Sequence, residues 1–187
     1  MDFATYVRDF DQLLGQVNPQ EVEALVAAIE SAYRDARFIF IIGNGGSGSA
    51  SSHLCEDLGK GTLTDFERQK RMKVLSLTDN TPYILAVAND LGYERIFVEQ
   101  LKNLASRGNL LIAISGSGNS PNVLRAVEWA NANGMKTFGV TGYDGGELRR
   151  IAQADLHVPC FNMGTVEAVH SVTFHYVVDV LRERLKA

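Results

Sequence analysis

The sequence predicts an α/β protein, a three-layer doubly wound sandwich in which about five parallel strands carry helices on both faces. Three observations predict this fold class. From residue 38 onward, short apolar runs alternate with segments of helical periodicity, an order that requires parallel strand pairing. The first run, Phe38 to Ile42, is apolar throughout, as is typical of a strand covered on both faces. Two of the runs end in glycine- and serine-rich turns, the usual place for a ligand in such sheets.

Two helices are predicted before the first strand. Apolar residues recur at helical spacing from Phe3 to Leu14. Asn18 then offers an N-cap, and Pro19 a first helical residue, for a second helix that ends near Arg34. One small sheet needs fewer helices than this, so the helical pair, residues 1–36, is predicted to form contacts between subunits. Packing of both helices on their own domain is an equally good interpretation.

The predicted α/β core occupies residues 37–187 and alternates strands with helices. After the first strand, strands are predicted at Met72 to Leu77, Leu110 to Ile114, Lys136 to Thr141 and Asp155 to Val158. Helices are predicted at Ser49 to Leu58, Thr81 to Ala88, Tyr93 to Leu104, Ser120 to Ala132 and Val166 to Leu185. Gly134 suits the left-handed residue that closes the fourth of these helices. No linker or repeat interrupts the sequence, so residues 1–187 are predicted to form one domain.

The composition is that of an ordinary globular protein and argues against several functional classes. Of 187 residues, 45% are hydrophobic and 21% are charged, and the net charge is -4 with no basic run, so nucleic acid is not an expected partner. No stretch approaches the length of a membrane span, and the N-terminus lacks the pattern of a signal peptide. Two cysteines, Cys55 and Cys160, are too few for a disulfide framework. We therefore expect a cytoplasmic protein.

Two glycine- and serine-rich segments follow predicted strands and precede predicted helices. The first is Gly43 to Ser49, and the second is Ser115 to Ser120. Glycine allows the backbone to approach an anion closely, and the start of a helix offers unpaired N–H groups to it. Either segment alone is equally well explained as a turn, but two at equivalent positions favour a phosphate-binding site. Neither has the spacing of a Walker or dinucleotide-binding motif, so a nucleotide cofactor is not expected.

Histidines and carboxylates recur at helical spacing in two distant segments. His53 and Asp57 lie four residues apart, which places both side chains on one face of a helix. Glu167 and His175 share a face of the final predicted helix. Two histidines and two carboxylates that meet in the fold would suit zinc or another divalent metal. The alternative is that each histidine is an ordinary structural or surface residue.

As a set, these motifs resemble the sugar isomerase (SIS) domain family and, within it, the phosphoheptose isomerases. The resemblance extends over essentially the whole chain, including the two N-terminal helices. It is carried by Gly43-Asn44-Gly45-Gly46-Ser47, His53, Asn89-Asp90, Ser115-Gly116-Ser117-Gly118-Asn119-Ser120, Thr141-Gly142-Tyr143-Asp144-Gly145-Gly146, and Glu167 with His170 and His175. It implies a homotetramer with sites at subunit interfaces and a zinc-assisted conversion of sedoheptulose 7-phosphate to D-glycero-D-manno-heptose 7-phosphate.

The resemblance also implies roles for individual residues. The implied metal ligands are His53, Asp57, Glu167 and His175, and the implied catalytic residues are Asp57, Glu167 and His175. The implied substrate and phosphate contacts are Asn44, Gly45, Gly46, Asn89, Asp90, Ser115, Gly116, Ser117, Ser120 and Glu167. Ser47 in the first loop is added to them as a phosphate contact. Two positions depart from the family pattern: Asp57 replaces a glutamate thought to act as the base, and Glu167 replaces a glutamine. These changes leave open which carboxylate is the base and which sugar phosphate is the substrate.

The predicted reaction is an aldose–ketose isomerisation, in which a proton moves between adjacent carbons through an enediol. The metal would polarise the carbonyl oxygen, and a carboxylate or His175 would carry the proton. One alternative is a non-enzymatic regulator that binds the replication initiator DnaA, although such relatives typically lack the side chains present here at Asp57 and His175. The other is an isomerase of a different sugar phosphate. His157 and His170 are interpreted as structural residues.

Overall fold

The computed structural model describes residues 2–186, and a parallel sheet lies at its centre. The strands are β1 Phe38–Gly43, β2 Lys73–Ser76, β3 Leu110–Ser115, β4 Lys136–Thr141 and β5 Ala154–His157. They pair in the order β2-β1-β3-β4-β5, and every pair is parallel. The chain passes from β1 to β2 on one side and then returns to β3 on the other, so the winding reverses between β1 and β3. This confirms the predicted fold class, and the reversal point is where ligands bind in such sheets.

Helices precede, connect and follow the strands. They are α1 Phe3–Leu14, α2 Pro19–Arg34, α3 Gly45–Glu56, α4 Thr81–Leu91, α5 Val98–Leu104, α6 Pro121–Ala132, α7 Gly146–Ile151 and α8 Met163–Arg184. A π-helical turn, Asp57–Gly61, continues α3, and a short 3-10 turn, Tyr93–Arg95, precedes α5. Across residues 2–186, no helix has both the length and the apolar character that a membrane crossing requires.

Two apolar layers cover the two faces of the sheet. Successive residues of β1 point to opposite faces. Ile39 and Ile41 belong to the apolar core with α2, α3 and α8, whereas Phe40 and Ile42 pack with α5 and α6 on the other face. All four side chains are at most 1% exposed, and full burial of each contributes about 1.5–3 kcal/mol. This double coverage is the physical reason for the uninterrupted apolar run in the sequence.

The two N-terminal helices differ in their surroundings. α2 packs on the sheet, and its Leu25 and Val26 are fully buried in the core that α8 shares. α1 contacts α8 and the segment after β5 through Leu13, but it leaves Phe3 80% exposed and Val7 47% exposed. The apolar stripe of α2 is therefore used within its own subunit, while α1 keeps an exposed apolar face.

Several predicted boundaries are corrected by the structure. The segment Gly43 to Ser49 is predicted as a loop, but α3 begins at Gly45. Gly45 has φ of +53°, a conformation that glycine adopts without a steric cost, so the chain turns directly from β1 into the helix. The single helix predicted from Tyr93 to Leu104 is interrupted before Val98. α7 was not predicted, because six residues are too few to show a helical period.

Candidate active site

Three of the four predicted metal-binding residues meet between α3 and α8. His53 Nε2 lies 3.5 Å from Asp57 Oδ2, and His175 Nδ1 lies 3.4 Å from the same oxygen. The two imidazole rings meet edge to face, with centroids 5.0 Å apart. One potential ligand atom from each residue lies within 4.8 Å of the other two. The Asp57 carboxylate thus lies beside two imidazoles that come from distant parts of the same chain. We call these three residues the metal-binding group, after the role that the sequence predicts for them.

The local backbone explains how this group assembles. His53 lies in the last turn of α3, and Asp57 begins the π-helical turn one helical turn later, so both project from one face. The turn is wide because the Thr62 N–H donates to the Asp57 carbonyl, five residues back, at 3.2 Å; such turns are frequent at functional sites. On α8, Phe174 is buried in the core beside α3, which fixes the helix and places His175 at the junction of the two helices.

The donor set fits a divalent metal such as zinc. Zinc binds imidazole nitrogen and carboxylate oxygen at about 2.0–2.1 Å, and tetrahedral geometry then separates neighbouring ligand atoms by about 3.3–3.4 Å. The two distances to Asp57 Oδ2, 3.4 and 3.5 Å, agree with that spacing. The side chains of His53 and His175 are 56% and 55% exposed. This exposure leaves an open side at which a substrate oxygen can approach.

Glu167, the fourth predicted ligand, lies apart from the metal-binding group. It precedes His175 by eight residues on α8, which is about 12 Å along the helix axis. Its carboxylate lies against Gly46 in the first turn of α3, so closely that a Cβ at Gly46 would overlap both carboxylate oxygens. Unpaired N–H groups and the helix dipole favour a negative charge at that position. The prediction that Glu167 meets the two imidazoles is therefore corrected: among the described residues, His53, Asp57 and His175 form a group without it.

The first of the two segments that are predicted to bind phosphate forms the start of α3. The first intrahelical bond runs from the Gly48 N–H to the Asn44 carbonyl at 3.1 Å, so the N–H groups just before it have no partner within the helix. Gly45 and Gly46 are exposed and carry no side chain, which opens their backbone to a ligand. The side chain of Ser47 is only 6% exposed. The Ser47 hydroxyl group is therefore not open to solvent.

The second segment that is predicted to bind phosphate begins at the last residue of β3 and lies next to the first. Ser115 is 4% exposed, and its Oγ lies 3.2 Å from the Oγ of Ser120. Gly118 has φ of +67° and approaches the Gly145 carbonyl so closely that a Cβ could not fit between them. The Leu148 N–H donates to the Gly118 carbonyl at 2.9 Å. The turn after β4 therefore fixes the shape of this segment, and both segments border the point where the winding reverses.

An amide pair links the two segments. Asn44 Nδ2 donates to Asn122 Oδ1, and Asn122 Nδ2 donates to Asn44 Oδ1, each at 2.8 Å. The Tyr93 hydroxyl also donates to Asn44 Oδ1, at 3.1 Å. Tyr93 and Asn44 line a cavity of about 320 Å³ beside the start of α3. Sequence reasoning missed Asn122; its only signal was a position in the first turn of the helix after the second segment.

Asn89 and Asp90, which are predicted substrate contacts, have a different position. They lie near the end of α4, and both are exposed. The Asn89 side-chain amide donates to the Asp90 carboxylate at 2.8 Å. Their exposure leaves both side chains available to a molecule that approaches from outside this chain.

The two remaining histidines pack around Thr141, away from the metal-binding group. His170 is 1% exposed, and its Nε2 donates to the Thr141 carbonyl at 3.1 Å. Burial lowers the pKa of His170 to about 4. Burial also lowers the pKa of His157, whose Nδ1 lies 3.0 Å from the Thr141 hydroxyl. Both imidazoles are therefore neutral near pH 7, which agrees with the structural role predicted for them.

The parallel sheet and its two loops at the reversal point define the class of protein. Residues 5–142 match the SIS domain, so this is an α/β SIS-domain protein. The chain is 30% identical over 177 residues to a phosphoheptose isomerase of Pelobacter propionicus, covering 94% of this chain and 92% of that one. It is 35% identical to a phosphoheptose isomerase of Helicobacter pylori, covering 90% and 84% of the two chains.

Solved structures give the same result. A phosphoheptose isomerase from Francisella tularensis superposes with a TM-score of 0.89 at 27% identity, covering 96% of each chain. One from Neisseria gonorrhoeae superposes with a TM-score of 0.87 at 25% identity, covering 97% of this chain and 95% of that one. The chain belongs to the phosphoheptose isomerase family, as its motifs indicated.

Proposed function

We propose that this protein is an aldose–ketose isomerase that converts sedoheptulose 7-phosphate to D-glycero-D-manno-heptose 7-phosphate. The observation that carries the proposal is the convergence of His53, Asp57 and His175 in a fold that also presents two segments suited to phosphate. Similarity to phosphoheptose isomerases over nearly the full length of the chain supports this substrate. The paired imidazoles and carboxylate favour an enzyme over a regulatory protein of the same fold.

We assign a zinc ion to the metal-binding group. Its nitrogen and oxygen donors are those that zinc prefers, and the distances from Asp57 Oδ2 to the two imidazole nitrogens, 3.5 and 3.4 Å, are close to those between neighbouring ligands of tetrahedral zinc. When bound, zinc supplies a Lewis acid that polarises the carbonyl of the sugar. The half-exposed rings of His53 and His175 leave that approach open.

The residues of the chain itself bind the substrate and move the proton. Backbone N–H groups at the start of α3 and the hydroxyls of Ser115 and Ser120 hold the phosphate, and this binding orients the reacting carbons. Asp57 or His175, through an atom that does not hold the metal, takes a proton from the carbon next to the carbonyl, which leaves an enediol, and a proton then returns to the former carbonyl carbon. Asp57 Oδ2 lies 3.4 Å from His175 Nδ1, so both side chains stand beside the position of the metal. This proximity favours Asp57 over Glu167 as the carboxylate that takes part.

We also propose a homotetramer with sites at subunit interfaces. Phe3 and Val7 on α1 and Tyr176 on α8, which is 59% exposed, supply apolar surface for a contact between copies. The exposed side chains of Asn89 and Asp90 would then complete the site of a neighbouring subunit. The cytoplasm remains the predicted location.

The test is turnover of sedoheptulose 7-phosphate in deuterium oxide, followed by NMR. We expect an aldose product, deuterium at the reacting carbon and about one bound zinc per site. Asp57→Asn should abolish turnover and lower the zinc content, because it removes the shared carboxylate charge. The matched control is Glu56→Gln, which changes the adjacent carboxylate, an exposed group paired with Lys60, and should keep activity and zinc.

Each other outcome identifies a different error in the proposal. Full activity after thorough chelation would refute the metal role. Exchange with another ketose phosphate alone would identify an isomerase of a different sugar. A protein that exchanges no sugar phosphate would fit the regulatory alternative.

A further inference from the structure

The helices that begin at the two predicted phosphate-binding segments differ in their start from the other helices that have a polar N-cap side chain. In α1, α2, α4 and α8, the N-cap side chain accepts a hydrogen bond from an N–H of the first turn. In α3 and α6, the N-cap residues Asn44 and Ser120 make no such bond. Asparagine and serine are among the best N-cap residues. Their side chains have therefore been diverted from the N–H groups that they would ordinarily satisfy.

Other residues hold these two side chains. Asn44 forms the reciprocal amide pair with Asn122, and Ser120 lies beside Ser115. Asn122 is 1% exposed, and its Oδ1 also accepts from the Val123 N–H at 3.0 Å. A buried amide is costly unless it is paired, so Asn122 fits its site only while Asn44 faces it. The pair thus keeps Asn44 away from the first turn of α3.

We propose that Asn122 is a positioning residue for phosphate binding. Through its two hydrogen bonds to Asn44, it keeps that side chain from capping the N–H groups at the start of α3, which the Glu167 carboxylate also borders, and it fixes that helix start against the start of α6. The inference rests on the proposed function, because it assigns the phosphate group of the sugar to this junction. Asn122 itself is buried and does not touch the substrate. It acts only through Asn44.

The experiment compares Asn122→Ala, Asn44→Ala and the double variant. In Asn122→Ala, the Asn44 side chain is free to cap α3 and to compete with the phosphate. We expect KM for sedoheptulose 7-phosphate and the Kd of inorganic phosphate, measured by calorimetry, to rise about tenfold, while kcat changes less than about threefold. Because Asn44→Ala removes the competing side chain, the double variant should bind phosphate more tightly than Asn122→Ala does.

The matched control is Asn131→Ala on the same helix. Asn131 donates to the Ile151 carbonyl and accepts from Thr137 and Gln153, so its loss removes a comparable hydrogen-bond network about 13 Å farther along α6. It should lower the melting temperature without changing the Kd of phosphate. If Asn122→Ala does not fold, Asn122→Leu, which nearly keeps the side-chain volume and also removes both hydrogen bonds to Asn44, makes the same comparison.

A lower melting temperature with unchanged KM and phosphate Kd would overturn the proposal, since that would be a purely structural role. Additive losses in the double variant would overturn it as well. The calorimetric measurement separates this inference from the proposed function. If sedoheptulose 7-phosphate is not turned over but phosphate binding still depends on Asn122, only the proposed function fails. Turnover without any phosphate binding by the wild type would refute the inference.

Discussion

Replacing His170 with glutamine should make the protein less sensitive to acid. The imidazole is 1% exposed, and its pKa lies at about 4 in the folded chain, compared with about 6.5 in an unfolded chain. The folded pKa is the lower one, so the neutral form stabilises the fold. That stability is fully present above about pH 6.5 and is lost as the pH falls toward 4, because the unfolded state then binds one more proton. Glutamine can donate to the same Thr141 carbonyl and does not titrate.

The magnitude follows from the size of the pKa shift. Each pH unit below the unfolded pKa costs about 1.4 kcal/mol, so about 2 kcal/mol should be lost between pH 6.5 and pH 5 and about 3 kcal/mol by pH 4. The assay is urea unfolding of the wild type and His170→Gln at pH 7 and pH 5, at one protein concentration. His157 and the carboxylates titrate in both proteins, so the difference between the two pH effects isolates His170.

The result is decisive in either direction. We expect the wild type to lose about 2 kcal/mol more than His170→Gln between the two pH values. Equal losses would show that the imidazole is not held neutral by burial, and the argument from its environment at Thr141 would then be wrong.

Two further predictions concern stability. Gly118→Ala should destabilise the fold by more than about 2 kcal/mol in urea unfolding, because a Cβ at φ of +67° would overlap the Gly145 carbonyl. The control Gly164→Ala should be nearly neutral, because its Cβ would lie 3.6 Å from its nearest neighbour. Equal effects of the two substitutions would contradict the close packing of Gly118 against Gly145. Leu58→Ala should lower the free energy of unfolding by about 2–5 kcal/mol, because Leu58 is 0% exposed. Leu75→Ala, at a position that is 38% exposed, should lower it by less than about 1 kcal/mol. A small loss at Leu58 would show that the π-helical turn is poorly packed.

Most of the fold could be predicted from the sequence because buried strands and amphipathic helices have distinct apolar patterns. The run from Phe38 to Ile42 is an example, and Gly134, with φ of +73°, closes α6 as expected. The start of α3 could not be located in this way, since its first residues are glycine and serine and have no apolar period. The π-helical turn at Asp57 depends on packing against α8, which no local pattern reveals.

The candidate site was predicted less evenly. The spacing of His53 and Asp57 placed them on one helix face, but their meeting with His175 depends on how α3 and α8 pack, and only the family resemblance indicated it. For Glu167, sharing a face with His175 did not mean sharing a position along the helix. Asn122 was missed because an asparagine in the first turn of a helix is ordinary in sequence, and its partner Asn44 lies 78 residues away.

Under the proposed function, a zinc ion held by His53, Asp57 and His175 also acts as a crosslink between two helices that are far apart in sequence. A ligand that binds only the native chain raises its stability in proportion to the logarithm of the ligand concentration. Zinc supply would then govern how long each molecule survives as well as whether it turns over. In a cell short of zinc, the protein would lose its catalytic activity and would also unfold more readily.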